Sequence, residues 1–183
     1  MSSACPYRLH LLYTRSEIDL LVRNLAEAIS RDYAGRDLLL VGVLKGAFIF
    51  LSDLARLLTV PAQIDFVRLA SYGQGTRSSG IVEVLKEIET PVAGKDVLIV
   101  EDIVDSGRTL LFLKEHLAGS AALSVRVCTL LDKRSRREVP FEPDYAGKIV
   151  DDVFIVGYGL DVSEEYRCLP EIYYVTRDTP SQP

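Results

Sequence analysis

Three carboxylates stand beside a turn of small residues in the stretch VLIVEDIVDSGRTL, residues 97–110. An apolar run leads to Glu101, Asp102 and Asp105, and the turn Ser106-Gly107-Arg108-Thr109 follows directly. Small and hydroxyl-bearing residues at a strand-to-helix turn leave backbone N–H groups free, and a helix start carries about half a positive charge. The second half of the stretch therefore predicts a site for an anion such as a phosphate monoester.

The carboxylates would contact a different part of the same ligand. Glu101 and Asp102 stand at the end of the expected strand, where they would reach neutral sugar hydroxyls or a hydrated Mg²⁺, which proteins typically hold with one or two carboxylates. A sugar phosphate has both a phosphate and a hydroxyl-rich, metal-binding portion, so it fits both halves of the stretch. The alternative is an acidic strand end before a capped helix, because carboxylates are also favourable near a helix start.

The composition of the whole chain is that of a soluble globular protein. Its 183 residues, 48% of them hydrophobic, predict a single domain over 1–183. The net charge of −5 gives no global attraction to nucleic acid or to an anionic membrane, so an anionic ligand must be held locally. Three cysteines without metal-ligand spacing indicate a reducing compartment, and the N-terminus makes a poor signal peptide. We therefore predict a cytoplasmic protein without a membrane span.

Strand-like and helix-like patterns alternate along the chain and predict an α/β fold, a mostly parallel, twisted sheet flanked by helices. Ser16 and Asp19 resemble a capping box at the start of the first helix, and Gly119 stands where the third helix should end. The expected strands are 37–44, 64–71, 81–88, 96–101, 123–131, 152–160 and 171–175, and the expected helices are 16–30, 47–58 and 108–118.

Polar residues follow directly after three of the expected buried strands, as Lys45-Gly46, the 101–109 turn and Asp132-Lys133. Ligands of parallel sheets bind beyond the carboxyl ends of the strands, so we expect these residues to gather along one edge. Residues 72–80 contain three glycines and two serines and cannot bury a core, which predicts a mobile loop.

The 97–109 motif resembles the phosphoribosyl-pyrophosphate (PRPP) binding motif of the type I phosphoribosyltransferases. Other stretches narrow the resemblance to the branch that acts on 6-oxopurines: VGVLKGAFIFLSDL, IDFVRLASYG, TLLDKR and DVFIVGYGLD…EYRCLPEIYYV. The likeness runs in the same order from about residue 37 to residue 175. It implies purine salvage: the 5-phosphoribosyl group moves from PRPP to N9 of hypoxanthine or guanine, giving IMP or GMP and pyrophosphate, with Mg²⁺ as cofactor.

The resemblance also implies how the chain is organised. The type I fold would have a core of about residues 16–150 and a small hood formed by about 1–15 and 151–178. A flexible lid, residues 71–80, would begin at Ser71-Tyr72. Members of the family associate, which implies a homodimer or a homotetramer here.

The motif itself carries the roles at the ribose phosphate. Asp105 matches the acid proposed to act at purine N7, as a base in nucleotide formation and as an acid in the reverse step. Glu101 and Asp102 match the pair that contacts the ribose hydroxyls, directly or through Mg²⁺. The loop that binds the 5′-phosphate matches Asp105, Ser106, Gly107, Arg108 and Thr109.

The resemblance places a pyrophosphate site after the second strand. Leu44-Lys45-Gly46 matches the pyrophosphate loop, in which the family has an unusual cis peptide before the lysine. Arg167 matches a further pyrophosphate contact, and Asp161 matches a metal ligand. Ala47 stands where many relatives have a second glycine, which is a departure from the family pattern.

The base-binding roles follow in the same way. Lys133 matches the lysine that donates to the exocyclic oxygen, Phe154 the aromatic ring stacked on the purine, and Ile155 the backbone position that reads its edge. Ile103 would face the other side of the ring, and Asp161 would belong to the purine site. The preference among hypoxanthine, guanine and xanthine would depend on contacts to C2 and on the backbone near Ile155 and Asp161. An ammonium only donates hydrogen bonds, so it favours a 6-oxo group and should reject the amino group of adenine.

Three alternatives remain at this point. A PRPP-sensing regulator that binds RNA would use the basic cluster KRSRR, 133–137, although a solvated turn is the simpler interpretation of Arg134, Arg136 and Arg137. A receiver-like signalling domain would use Glu101 and Asp102 as metal-binding acids but leaves the 106–109 turn unexplained. Within the enzyme class, the alternative is a xanthine-preferring transferase.

Overall fold

The computed structural model describes residues 7–72 and 81–177, and the expected α/β fold is confirmed there. The strands are β1 (Tyr7–Tyr13), β2 (Leu38–Leu44), β3 (Ala62–Tyr72), β4 (Ile81–Lys86), β5 (Asp96–Val104), β6 (Ser124–Asp132), β7 (Tyr145–Ile149), β8 (Phe154–Val156) and β9 (Ile172–Arg177). The helices are α1 (Arg15–Asp32), α2 (Phe48–Leu57) and α3 (Arg108–Ala118), with a 3₁₀ turn at Arg134–Arg136.

Two sheets organise these elements. The larger sheet has six strands in the order β4-β3-β2-β5-β6-β7, all parallel except for the antiparallel pair β3 and β4. The smaller sheet, β1-β9-β8, is antiparallel and joins the N-terminal strand to the last two. The carboxyl ends of β2, β5 and β6 therefore lie next to one another, which brings the turns after them together.

The larger sheet is buried on both faces, as its continuous apolar runs predict. In β2, Leu38 and Leu40 pack with α1 and α2, whereas Leu39, Val41 and Val43 pack with α3 on the opposite face. This alternation follows from the two-residue period of a strand. Among the helices of the described ranges, none combines the length and apolar character needed to cross a membrane.

The start of α1 differs from the prediction. The capping box is formed by Thr14 and Glu17, not by Ser16 and Asp19: the Thr14 hydroxyl accepts the N–H of Glu17 at 3.3 Å, and the Glu17 carboxylate accepts the N–H of Thr14 at 2.8 Å. The helix thus begins at Arg15, so that Ser16 already lies in its first turn. The ending at Gly119 is confirmed.

The strand predicted at 152–160 is shorter, and two strands were not predicted. Only Phe154–Val156 is extended, because left-handed conformations at Gly157, Tyr158 and Gly159 turn the chain away. β1 and β7 lacked a clear signal, since their side chains alternate between exposed and half-buried positions. The last strand runs to Arg177, two residues beyond its predicted end.

One buried carboxylate holds the connection that follows β4. Asp65, on β3, accepts hydrogen bonds from the backbone N–H groups of Phe66 at 2.6 Å, Glu89 at 2.8 Å and Thr90 at 2.7 Å. Burial alone would raise the pKa of Asp65, but these hydrogen bonds outweigh it and lower the pKa to about 2. The ionised carboxylate therefore stabilises the fold.

We expect Asp65→Asn to lower the free energy of unfolding at pH 7 by about 1–2 kcal/mol, because an amide offers one acceptor oxygen to three N–H donors. A lowered folded-state pKa contributes stability above about pH 4, and this contribution is lost as the pH falls towards 2. Urea unfolding from pH 7 to pH 2 should therefore show a weaker acid dependence for the variant. Asp37→Asn, at an exposed position, is the matched control; equal pH profiles for Asp65→Asn and the wild type would contradict the assignment.

Candidate active site

The turn before α3 has the geometry of an anion site. Gly107 adopts a left-handed conformation with φ of +81° and caps the helix, so no side chain at the cap competes for the N–H groups of the first turn. The Ser106 hydroxyl accepts the N–H of Arg108 at 3.4 Å. A cavity of about 170 Å³ opens above the turn, and its lining includes Glu101, Ile103, Asp105, Ser106, Gly107 and Thr109.

Arg137 binds the backbone of this turn and a buried carboxylate. Its guanidinium donates to the backbone oxygen of Asp105 at 2.6 Å and to the carboxylate of Asp132, which is completely buried. Its side chain, only 13% exposed, also fills the space beside Gly107, where a Cβ atom would collide with it. The interpretation of Arg137 as part of a solvated turn was therefore wrong: its side chain is largely buried and its guanidinium holds Asp132 and the backbone of Asp105.

The other two arginines of the cluster also have acidic partners, although they are exposed. Arg134 pairs with Asp132 at 3.2 Å and with Glu142 at 3.5 Å. Arg136 pairs with the side chain of Asp105 at 3.3 Å and with Asp152 at 3.7 Å. The buried acid among these partners is Asp132, a carboxylate that needs a cation nearby but whose burial only the structure shows.

Two adjacent carboxylates stand at the end of β5. Burial raises the pKa of Glu101 well above its usual value, and the neighbouring Asp102 raises it further. Burial likewise raises the pKa of Asp102, although the N–H of Ile103 donates to it at 2.8 Å. Two carboxylates removed from water beside each other are costly to ionise, and a bound cation would offset that cost.

The turn after β2 packs directly against this pair. The Leu44–Lys45 peptide is cis, as the resemblance implied. A Cβ atom at Gly46 would overlap the carboxylate of Asp102, and one at Gly159 would overlap the backbone oxygen of Gly46. Only glycine therefore fits at either position, and the backbone of Gly46 is enclosed between the two neighbouring segments.

Four charged residues form a cluster beside Gly46. Arg167 donates to the backbone oxygen of Gly159 and to the carboxylate of Asp161, each at 2.7 Å. Glu164 accepts from Lys45 at 2.9 Å and from Arg167 at 3.2 Å. The hydrogen bond from Lys45, and then that from Arg167, lower the pKa of Glu164. Sequence reasoning did not identify Glu164, because nothing in the run Ser163-Glu164-Glu165 indicates which side chain reaches the cations.

The residues matched to the purine occupy both sheets. Ile103 lines the cavity, and the N–H of Lys133 donates to the backbone oxygen of Val104 at 2.9 Å, so both lie at the edge that carries Asp105. Phe154 and Ile155 belong to the smaller sheet; Phe154 is 55% exposed and Ile155 is buried. The ion pair between Arg136 and Asp152 links that segment to the Asp105 turn.

Comparisons with known proteins agree with this geometry. A family profile for the phosphoribosyl transferase domain matches residues 12–163. The hypoxanthine-guanine phosphoribosyltransferase of Mycobacterium bovis is 45% identical over 168 residues, which cover 88% of this chain and 83% of that protein. A crystal structure of a hypoxanthine phosphoribosyltransferase from Staphylococcus aureus has a TM-score of 0.89 at 40% identity and covers 91% of each chain.

The chain belongs to the phosphoribosyltransferase family. The resemblance to the hypoxanthine-guanine branch and to its type I fold is thereby confirmed. The chain also spans about a quarter of the length of a relative from Listeria innocua named "Bifunctional protein TilS/HprT", to which it is 46% identical over 162 residues. The same fold therefore occurs both in shorter relatives and within a longer protein.

The acidic residues of this site fit a divalent cation only together with a ligand that supplies further donors. The described residues contain no cluster of three or more His, Cys, Asp or Glu side chains arranged for a metal. Mg²⁺, however, is commonly held by one or two carboxylates plus substrate phosphates. The adjacent carboxylates of Glu101 and Asp102 fit such a site. Asp161 has both oxygens engaged, by Arg167 and by the N–H of Glu164.

The lid implied by the family likeness lies at the gap in the described residues. Ser71 and Tyr72 end β3, where their backbones pair with Val82 and Ile81 of β4. Residues 73–80 are outside the described ranges, as are the side chains of Ser71 and Tyr72. The prediction that this segment closes over the site stays a prediction.

Proposed function

We propose that this protein transfers the 5-phosphoribosyl group of PRPP to N9 of a 6-oxopurine, hypoxanthine or guanine, with release of pyrophosphate. One observation carries the proposal: the anion-binding turn at Asp105–Thr109 and the carboxylate of Glu101 line one cavity, and Asp102 is the neighbour of Glu101 in the chain. That combination suits a ligand with a phosphate at one end and hydroxyls at the other. The names of the relatives point to the same reaction.

In this proposal each end of PRPP has its own residues. The N–H groups and hydroxyls of 106–109 bind the 5′-phosphate, and Glu101 and Asp102 orient the ribose hydroxyls, directly or through Mg²⁺. Lys45, the backbone of Gly46 and Arg167 bind the pyrophosphate, with Asp161 holding Arg167 or a metal. Bound Mg²⁺ would offset the negative charge that develops on the leaving pyrophosphate.

The purine is held from both sides of the cleft. Lys133 donates to the 6-oxo group, Phe154 and Ile103 cover the two faces of the ring, and the backbone of Ile155 reads its edge. The bond from N9 to C1′ forms as the bond from C1′ to the pyrophosphate oxygen breaks, through a transition state with oxocarbenium character. Asp105 accepts the proton that leaves N7, and the 71–80 lid would exclude water from the cationic sugar.

The test is to incubate the purified protein with PRPP, Mg²⁺ and each of hypoxanthine, guanine, xanthine and adenine, and to measure nucleotide formation. We expect hypoxanthine or guanine to react, adenine not to react, and chelation of Mg²⁺ to abolish the reaction. Preferential turnover of xanthine would favour the xanthine-specific alternative. Bound PRPP without nucleotide from any base would overturn the proposal in favour of a regulator.

The RNA-binding alternative has little structural support. Three of the four basic residues in its cluster, Arg134, Arg136 and Arg137, already pair with acidic side chains. A homodimer or homotetramer and a cytoplasmic location stay predictions.

A further inference from the structure

A single glutamate contacts both cations assigned to the pyrophosphate. One carboxylate oxygen of Glu164 accepts from Nζ of Lys45 at 2.9 Å, and the other accepts from the guanidinium of Arg167 at 3.2 Å. The carboxylate thus engages the two charges with two separate oxygens, as a phosphate group would. Lys45 and Arg167, the two cations assigned to an anionic ligand, therefore already pair with a carboxylate of the chain.

The backbone is shaped to bring Glu164 to this position. Ser163, Glu164 and Tyr166 all have left-handed conformations, with φ of +53°, +66° and +73°, which non-glycine residues seldom adopt. The carboxylate of Asp161 fixes the turn by accepting the N–H of Glu164 at 2.8 Å. Glu164 is thereby aimed at the cations, whereas the next residue, the exposed Glu165, pairs with Val162 through its backbone and, within the described ranges, has no cation partner.

Stability does not explain these contacts. The Glu164 side chain is 63% exposed, and exposed ion pairs contribute little to the free energy of folding. Arg167 also needs no help from Glu164 to stay in place, because Gly159 and Asp161 hold it at 2.7 Å. What the glutamate changes is the charge that Lys45 and Arg167 present to a ligand.

We propose that Glu164 is an internal competitor of pyrophosphate: its carboxylate occupies Lys45 and Arg167 until the pyrophosphate portion of PRPP displaces it, and it returns when pyrophosphate leaves. The inference rests on the proposed function, since that function assigns the two cations to pyrophosphate. A pyrophosphate carries several negative charges and wins the competition, but with reduced affinity. The glutamate therefore weakens the binding of pyrophosphate and hastens its release.

The decisive comparison is Glu164→Gln against Glu165→Gln, which removes the same charge from the neighbouring position. Calorimetric titration with inorganic pyrophosphate at fixed Mg²⁺ should give a Kd about three- to tenfold lower for Glu164→Gln than for the wild type. Glu165→Gln should stay within twofold of the wild type. The KM for PRPP should fall in parallel, while kcat stays equal or decreases, because product leaves more slowly. A role confined to holding the turn would raise KM instead.

Glu164→Ala provides a second variant that cannot form either contact, and it should also bind pyrophosphate more tightly. If both Glu164 variants bind pyrophosphate as the wild type does, or more weakly, while the wild type makes nucleotide, the inference alone is overturned. If the wild type neither binds pyrophosphate nor makes nucleotide, the proposed function fails and the inference fails with it. Thermal unfolding of each variant verifies that the fold is retained.

Discussion

Asp105→Asn should lower kcat for nucleotide formation by about a hundredfold or more without destabilising the protein. Asparagine has nearly the same shape as aspartate but cannot accept the purine proton, and general base catalysis typically contributes factors of about 10² to 10⁴. The side chain of Asp105 is 51% exposed and forms an ion pair with the exposed Arg136, so its charge contributes little to folding. Steady-state kinetics with hypoxanthine and PRPP measures the effect.

Asp152→Asn is the matched control for this prediction. Asp152 pairs with the same arginine at 3.7 Å and has a similar exposure of 54%, but it does not line the cavity. Its replacement should leave kcat within about twofold of the wild type. An Asp105→Asn enzyme that keeps more than a tenth of the wild-type kcat would show that another group takes the proton.

Arg137→Met should lower the free energy of unfolding by about 3 kcal/mol. The substitution removes a cation from the completely buried carboxylate of Asp132, and breaking a buried ion pair costs about 3–5 kcal/mol. The lower value applies because Arg134 still donates to the other oxygen of Asp132. The variant should also raise the KM for PRPP, since the backbone oxygen of Asp105 loses its donor. Urea unfolding and steady-state kinetics measure the two effects.

Two further variants separate the buried charge from a general loss of packing. Arg136→Met changes an exposed arginine of the same turn and should cost no more than about 0.5 kcal/mol. The double variant Asp132→Asn, Arg137→Met should be more stable than the sum of the two single changes predicts, because no uncompensated charge remains buried. Strict additivity would refute the role of the ion pair.

The apolar runs predicted the elements that hold the site, because burial on both faces leaves a direct trace in composition. β2 and β5 were found in this way, and the turns after them followed. The edge strand β7, YAGKI, has half-exposed side chains and owes its conformation to pairing with β6, so its own sequence carries no clear signal. Ion pairs between residues far apart in the sequence cannot be predicted for the same reason, because they depend on the tertiary fold.

Charged residues illustrate this limit within the site. The acids of the 97–110 stretch could be interpreted from spacing, since they are neighbours along the chain. The role of Arg137 could not be predicted, because the sequence does not show that Asp132 is buried and turned towards it. Glu164 could not either, because the left-handed backbone at 163–166 decides which acid meets Lys45.

The contact between Gly46 and Gly159 has a consequence for how the two segments move. Neither residue has a side chain that could rotate to absorb a movement. A shift of the backbone at Gly159 would therefore displace the backbone at Gly46 directly. One segment carries the lysine assigned to the leaving group, and the other follows directly after the strand assigned to the purine. A displacement of the segment at Gly159 would therefore reach Gly46 through main-chain contact, and substitutions of neighbouring side chains would leave that contact in place.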